Sequence, residues 1–96
     1  MTEKEEIGRP RILGIDPGTR RTGLAVSDPL GFTAQGLKTF YSGRGRKLID
    51  YIAGLIEEHG VETVVIGMPL SMSGEEIEGS KRSRKLKKEI EERAGV

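Results

Sequence analysis

The chain has 96 residues, a net charge of +1 and no cysteine, which sets a ceiling of one domain with a thin core. Hydrophobic residues make up 34% and aromatics 4%, too few to line a large apolar ligand pocket. Lack of cysteine excludes disulfides, thiolate zinc sites and cysteine nucleophiles together. No apolar run approaches the roughly 18 residues of a membrane span, and no signal-like segment opens the chain, so a soluble cytoplasmic protein is expected.

Residues 1–6 are polar and charged and are expected to form a loose tail, with one domain over 7–96. The run Arg11-Ile12-Leu13-Gly14-Ile15-Asp16 predicts a central strand buried on both faces. Pro17 to Thr22 is short enough for a hairpin loop into a second strand over 23–27. Asp28-Pro29-Leu30-Gly31 has proline and glycine where a type I turn takes them. A third strand over 32–40, weakened by Gly36, completes an antiparallel meander. Leu48, Ile52, Leu55, Ile56 and His59 then fall at helical spacing, and Gly60 supplies the stop. A fourth strand over 62–67 is expected to run parallel to the first, because strand–helix–strand connections cross over right-handed. A second helix over 77–94 carries only Ile77, Leu86, Ile90 and Ala94 as apolar residues, a stripe too thin to dock firmly. The fourth strand is left as an apolar edge, which natural proteins normally cover, and the chain stops at Gly95-Val96. Both features suggest a fragment, and the open edge offers a route to self-association.

Charge is segregated. Arg9, Arg11, Arg20 and Arg21 flank the first strand, Arg44, Arg46 and Lys47 precede the first helix, and Lys81, Arg82, Arg84, Lys85, Lys87 and Lys88 crowd the second. These clusters hold 13 of the 16 basic residues. Such clustering suits a polyanion, although solvated faces give the same pattern.

Asp16 closes an apolar strand beside a loop rich in donors. A carboxylate there can take Mg²⁺ or Mn²⁺ through oxygen, while Gly18, Thr19, Arg20 and Arg21 can approach and bind a phosphate. An aspartate in this place can also simply cap its own turn. The wider string Ile12-Leu13-Gly14-Ile15-Asp16-Pro17-Gly18-Thr19-Arg20-Arg21-Thr22-Gly23-Leu24-Ala25-Val26-Ser27-Asp28-Pro29-Leu30-Gly31, with Thr33-Ala34-Gln35-Gly36-Leu37 after it, resembles the YqgF family. So does the later Val64-Val65-Ile66-Gly67-Met68-Pro69-Leu70, followed by Met72 and Gly74. Members of that family are known as pre-16S rRNA nucleases and as Holliday junction resolvase-like proteins.

The resemblance covers residues 11–96. It implies an α/β, RNase H-like mixed sheet: an antiparallel three-strand meander, a helix, a parallel strand and a helix, with a C-terminal strand and helices missing. It also implies Mg²⁺- or Mn²⁺-dependent cleavage of nucleic-acid phosphodiesters, pre-16S rRNA as partner, and a bacterial cytoplasmic setting. Asp16 takes the role of first catalytic carboxylate and metal ligand. The family's two other acids lie beyond the end of this chain. A two-metal mechanism needs several carboxylates around ions ~4 Å apart, so this chain alone is expected to be inactive or nearly so.

No other acid is well placed. Asp28 and Glu62 are expected at the far end of the sheet, and Glu75, Glu76 and Glu78 more simply favour the second helix's N-terminus. Phosphate contacts without base readout are expected from Lys81, Arg82, Arg84 and Lys85. His59 is expected to pack or to interact with its helix end, and Met68 and Met72 to fill gaps. Two other readings compete: a non-catalytic nucleic-acid binding module, and, less well supported, an actin-like nucleotide-binding half, which would need a second lobe.

Overall fold

The computed structural model describes residues 11–28, 30, 33–43, 47–69, 73–75 and 77–96. The expected tail, the centre of the 28–31 turn, Arg44, Arg46, Leu70, Met72 and Glu76 lie outside them.

Strand β1 (Arg11–Asp16) pairs antiparallel with β2 (Arg21–Ser27), placing Leu13 opposite Val26 and Asp16 opposite Gly23. The expected third strand is instead two short ones on the same edge of β2. Strand β3 (Ala34–Gly36) pairs with the end of β2, and β4 (Phe40–Tyr41) pairs with its start. Between them the Leu37 amide donates to the Leu24 carbonyl at 2.8 Å, so the chain still follows β2. Phe40 turns into the core and stacks on Tyr51 with ring centroids 5.5 Å apart.

Helix α1 (Leu48–His59) buries Ile52, Leu55 and Ile56 and ends at Gly60, which is left-handed at φ 63°. Strand β5 (Val61–Ile66) then runs parallel to β1, with Leu13 beside Val64 and Ile15 beside Ile66. The sheet order is β3-β2-β1-β5, with β4 also on β2. This is the expected α/β architecture, and β5 has one edge unpaired among the described residues.

Side chains alternate across a strand, so Leu13, Ile15, Leu24 and Val26 share one face, which is buried. Residues of α1 and of α2 (Glu78–Ala94) belong to that core, notably Ile52, Leu86 and Ile90. The other face is open: Ile12 is 44% and Val65 57% exposed. Strand β1 is therefore central but buried on one face only among the described residues, because both helices lie on that side.

The second helix docks more firmly than its apolar stripe predicts. Ser80 and Ser83 are fully buried, and their hydroxyls donate to carbonyls of the loop after β5. Ser83 reaches the Gly67 carbonyl at 2.6 Å, and Ser80 reaches that of Pro69. A Cβ at Gly79 would lie 2.7 Å from Pro69 Cγ. The glycine that weakens the helix in sequence terms is what allows this approach. Gly79→Ala is expected to cost about 1 kcal/mol, since overpacking outweighs the gain in helix propensity. Gly54→Ala in α1, where the new Cβ meets nothing within 4 Å, should instead stabilise by about 0.5–1 kcal/mol. Urea midpoints moving in the same direction for both would contradict the close-approach argument.

His59 packs as expected and also bonds: the Arg11 guanidinium donates to its Nδ1 at 2.9 Å, joining the start of β1 to the end of α1. Thr22 is fully buried in β2, and its hydroxyl has no partner among the described residues. An unsatisfied buried hydroxyl is costly. Thr22→Val should therefore raise stability by about 1 kcal/mol, read as a higher melting temperature. A loss would mean that the hydroxyl is in fact satisfied.

Candidate active site and its basic flank

Asp16 ends β1 on the open face of the sheet, and small residues surround it. Gly23 lies opposite, where an added Cβ would come 3.8 Å from the Asp16 Cβ. Gly67 closes the end of β5, its amide donating to the Ile15 carbonyl at 2.9 Å. A Cβ at Gly67 would stand 3.7 Å from Asp16 Oδ1. The carboxylate is exposed and has no hydrogen-bond or ion-pair partner among the described residues. Its lone pairs are thus free to take a hard cation. The turn-capping role open to a lone aspartate has no support here, because no loop amide bonds to it.

The hairpin loop runs directly from this carboxylate. Gly18 sits where a Cβ would fall 2.3 Å from the Arg21 backbone oxygen, so only glycine lets the loop close this tightly. Thr19 and Arg20 are exposed in the turn. Arg21 is the first residue of β2 and alternates with buried Thr22, placing it on the same open face as Gly23 and Asp16. The Ser42 amide donates to the Arg20 carbonyl at 2.9 Å and holds the loop against the end of β4. Asp16, Gly18, Thr19, Arg20 and Arg21 therefore form one contiguous surface.

The basic helix divides. Helical geometry turns about 100° per residue, so Arg82 and Lys85 share a flank and Arg84 faces the opposite side. Arg82 and Lys85 line a groove with Pro17, the residue after Asp16, and with Lys47 at the start of α1. Lys81 is exposed and pairs with Glu78 at 3.3 Å. Of the four α2 residues expected to meet phosphate, two lie beside the Asp16 loop. The nearness of Lys47 and Gly67 to Asp16 is not legible in the sequence, because it depends on helix packing and on the β1–β5 register. The i, i+3 spacing of Arg82 and Lys85 was the one available signal for the groove.

Two of the other acids, Asp28 and Glu62, stand away from Asp16. Asp28 lies past Ser27 at the other end of the sheet and accepts from the Thr33 amide and hydroxyl at 3.1 and 2.7 Å. Glu62 follows Val61, which pairs with Arg11 at that same far end. No group of three His, Asp or Glu side chains converges on a common point among the described residues. Asp16 fits Mg²⁺ or Mn²⁺ as one hard oxygen ligand, where such an ion usually takes about six.

Comparison with known proteins bears on this arrangement. A family model described as "RuvX: Holliday junction resolvase" matches residues 10–96. A protein of Koribacter versatilis is 43% identical over 76 residues, covering 79% of this chain and 50% of its own length. One from Halalkalibacterium halodurans is 50% identical over 66 residues, covering 67% of this chain and 47% of its own. One from Clostridium botulinum is 48% identical over 64 residues, with 67% and 47% covered. All three carry the name "Putative pre-16S rRNA nuclease". The chain thus spans about half the length of the curated relatives it matches. Among solved structures, an exopolyphosphatase from Cytophaga hutchinsonii is similar at a TM-score of 0.49 and 20% identity, over 83% of this chain and 31% of that one.

Proposed function

Because this chain belongs to the RuvX family, the YqgF family of the sequence reading, we propose that it is the substrate-facing part of a metal-dependent nuclease that hydrolyses nucleic-acid phosphodiesters. The observation that carries this reading is the exposed carboxylate of Asp16, without a partner among the described residues, at the end of a central strand with glycines on either side. Those glycines leave space for a phosphodiester to approach from the open face. The names of the relatives support pre-16S rRNA as substrate; we extend this to its 5′ end and to the cytoplasm as the place of action. No helix among the described residues is long and apolar enough to cross a membrane.

In this reading Asp16 would hold Mg²⁺ or Mn²⁺ as one of several ligands. The ion, when bound, polarises the phosphoryl oxygen and makes its bound water more acidic. Arg20 and Arg21 draw the backbone to the open face and offset its charge, and Thr19 offers a hydroxyl to a phosphate oxygen. The Gly18 turn keeps these groups within one short loop of the carboxylate. The 96 residues alone are inactive or nearly so, since one carboxylate cannot hold two ions. Pairing of two copies through the β5 edge left unpaired among the described residues belongs to the same reading, and sedimentation velocity over a wide concentration range tests it.

The decisive experiment uses protein expressed from the complete coding region. It is incubated with Mg²⁺ or Mn²⁺ and either an RNA carrying the pre-16S 5′ leader or a four-way DNA junction. Metal-dependent cleavage of the RNA supports the reading. Cleavage of the junction alone would replace RNA by branched DNA, as the family description suggests. Salt-sensitive binding without any product would favour the non-catalytic binding module, which the single acid at the site makes the specific rival.

A further inference from the structure

We propose that the groove between the start of α1 and the outer flank of α2 is a second phosphate site, holding a backbone phosphate of RNA that neighbours the one at Asp16. This rests on the nucleic-acid reading above and assigns the strand a direction of travel from the Asp16 face, around Pro17, onto the helical side. The groove has a volume of about 330 Å³ and is lined by Pro17, Lys47, Arg82, Lys85 and Glu89, among others. Ligand clefts run from roughly 300 to 1,000 Å³, so a phosphate with its sugar and water can be held there.

Three cations face one carboxylate across this space. None of Lys47, Arg82 and Lys85 makes a side-chain hydrogen bond or ion pair among the described residues, and Glu89 makes none either. Like charges gathered without partners repel one another, and an anion between them relieves that repulsion. A different groove, of about 420 Å³ between α1 and the C-terminal end of α2, makes the contrast. It carries Asp50 and Glu57 against a single arginine, Arg93, which already bonds to Asp50 at 2.7 Å. Of these two grooves, only the one beside Pro17 has a surplus of positive charge.

Position strengthens the assignment. Pro17 follows Asp16 directly, so the groove begins within ~4 Å of chain from the candidate catalytic residue. Arg21 draws the backbone to the open face, and Lys47, Arg82 and Lys85 continue the positive path on the other side of the strand end. Of the six bases over 81–88, Lys87 and Lys88 do not line the groove. They supply an internal control on the same helix.

The test measures binding of a short, fluorescently labelled single-stranded RNA to the full chain without divalent metal, as a function of salt. Lys47→Gln, Arg82→Gln and Lys85→Gln are each expected to weaken binding by roughly three- to tenfold and, combined, to flatten the log–log salt slope by about 0.7, the value of one phosphate contact on a single strand. Lys87→Gln and Lys88→Gln should leave the slope unchanged. Glu89→Gln should tighten binding, a gain that a damaged fold cannot mimic. Equal losses in the groove and control variants, or no gain with Glu89→Gln, would overturn the proposal. Absence of RNA binding by the unmodified chain would overturn it too, together with the function reading. If RNA is bound through the groove but protein from the complete coding region does not cut it with Mg²⁺ or Mn²⁺, the nuclease reading fails and the phosphate site stands.

Discussion

Asp16→Asn is expected to abolish metal-dependent cleavage by the protein expressed from its complete coding region, while shifting its melting temperature little. The two halves of that result follow from one geometry. Asp16 is exposed and bonds to nothing among the described residues, so a neutral amide of the same shape removes no native contact. Substitutions at such positions usually stay within about 0.5 kcal/mol. The chemistry is less tolerant, because an amide oxygen is a far poorer ligand than a carboxylate for a hard divalent ion. Losing one preorganised charge at a reaction centre commonly costs about 10²–10³ in rate. Cleavage by the variant within a few fold of wild type would remove Asp16 from the mechanism. A large fall in melting temperature would mean that its role is structural.

Gly18→Ala should have the largest effect on stability of any change at the site, about 2–4 kcal/mol. The new methyl group would fall 2.3 Å from the Arg21 backbone oxygen, and a main-chain carbonyl cannot swing aside like a flexible side chain. The loop has little freedom to yield, since the Arg20 carbonyl accepts from Ser42 and Arg21 pairs with Tyr41. A chain of this size has only about 5–14 kcal/mol of total stability, so the urea midpoint should fall markedly. Binding of RNA should fall as well, because Arg20 and Arg21 move with the loop. An unchanged midpoint would show that the hairpin opens at no cost and that its tightness is incidental.

Much of this architecture was legible from periodicity and punctuation. The apolar runs of β1 and β5, the helical spacing from Leu48 to His59 and the stop at Gly60 all place elements within two residues of where they stand. The parallel pairing of β1 and β5 followed from the handedness of crossovers. The division of the third strand did not follow, because alternation over a short stretch looks the same whether the chain is one strand or two. Phe40 decides it by turning inward to Tyr51. The apolar stripe of α2 understates its docking. Ser80 and Ser83 attach it by hydrogen bonds to carbonyls that only the folded loop presents.

At the site, Asp16 and its loop were legible because proline and glycine mark the turn after an apolar run. The flanking glycines acquire meaning only through register: Gly23 through the antiparallel pair, and Gly67 through the parallel one. The basic cluster was visible as composition, but its partition between groove and solvent depends on which face of α2 the two serines and Gly79 press against the sheet.

The broken third strand gives β2 two independent supports along one edge. All three residues of β3 are exposed, and it holds the end of β2 remote from Asp16. Strand β4, anchored by buried Phe40, braces the end that carries the Arg20–Arg21 loop. Local opening is cheapest where little apolar surface is buried, so amides of β3 should exchange with solvent well before those around Thr22 and Phe40. The hairpin thus frays from one end only. Thermal motion, sequence drift or an insertion near residues 28–36 can be absorbed without disturbing the carboxylate at the opposite end.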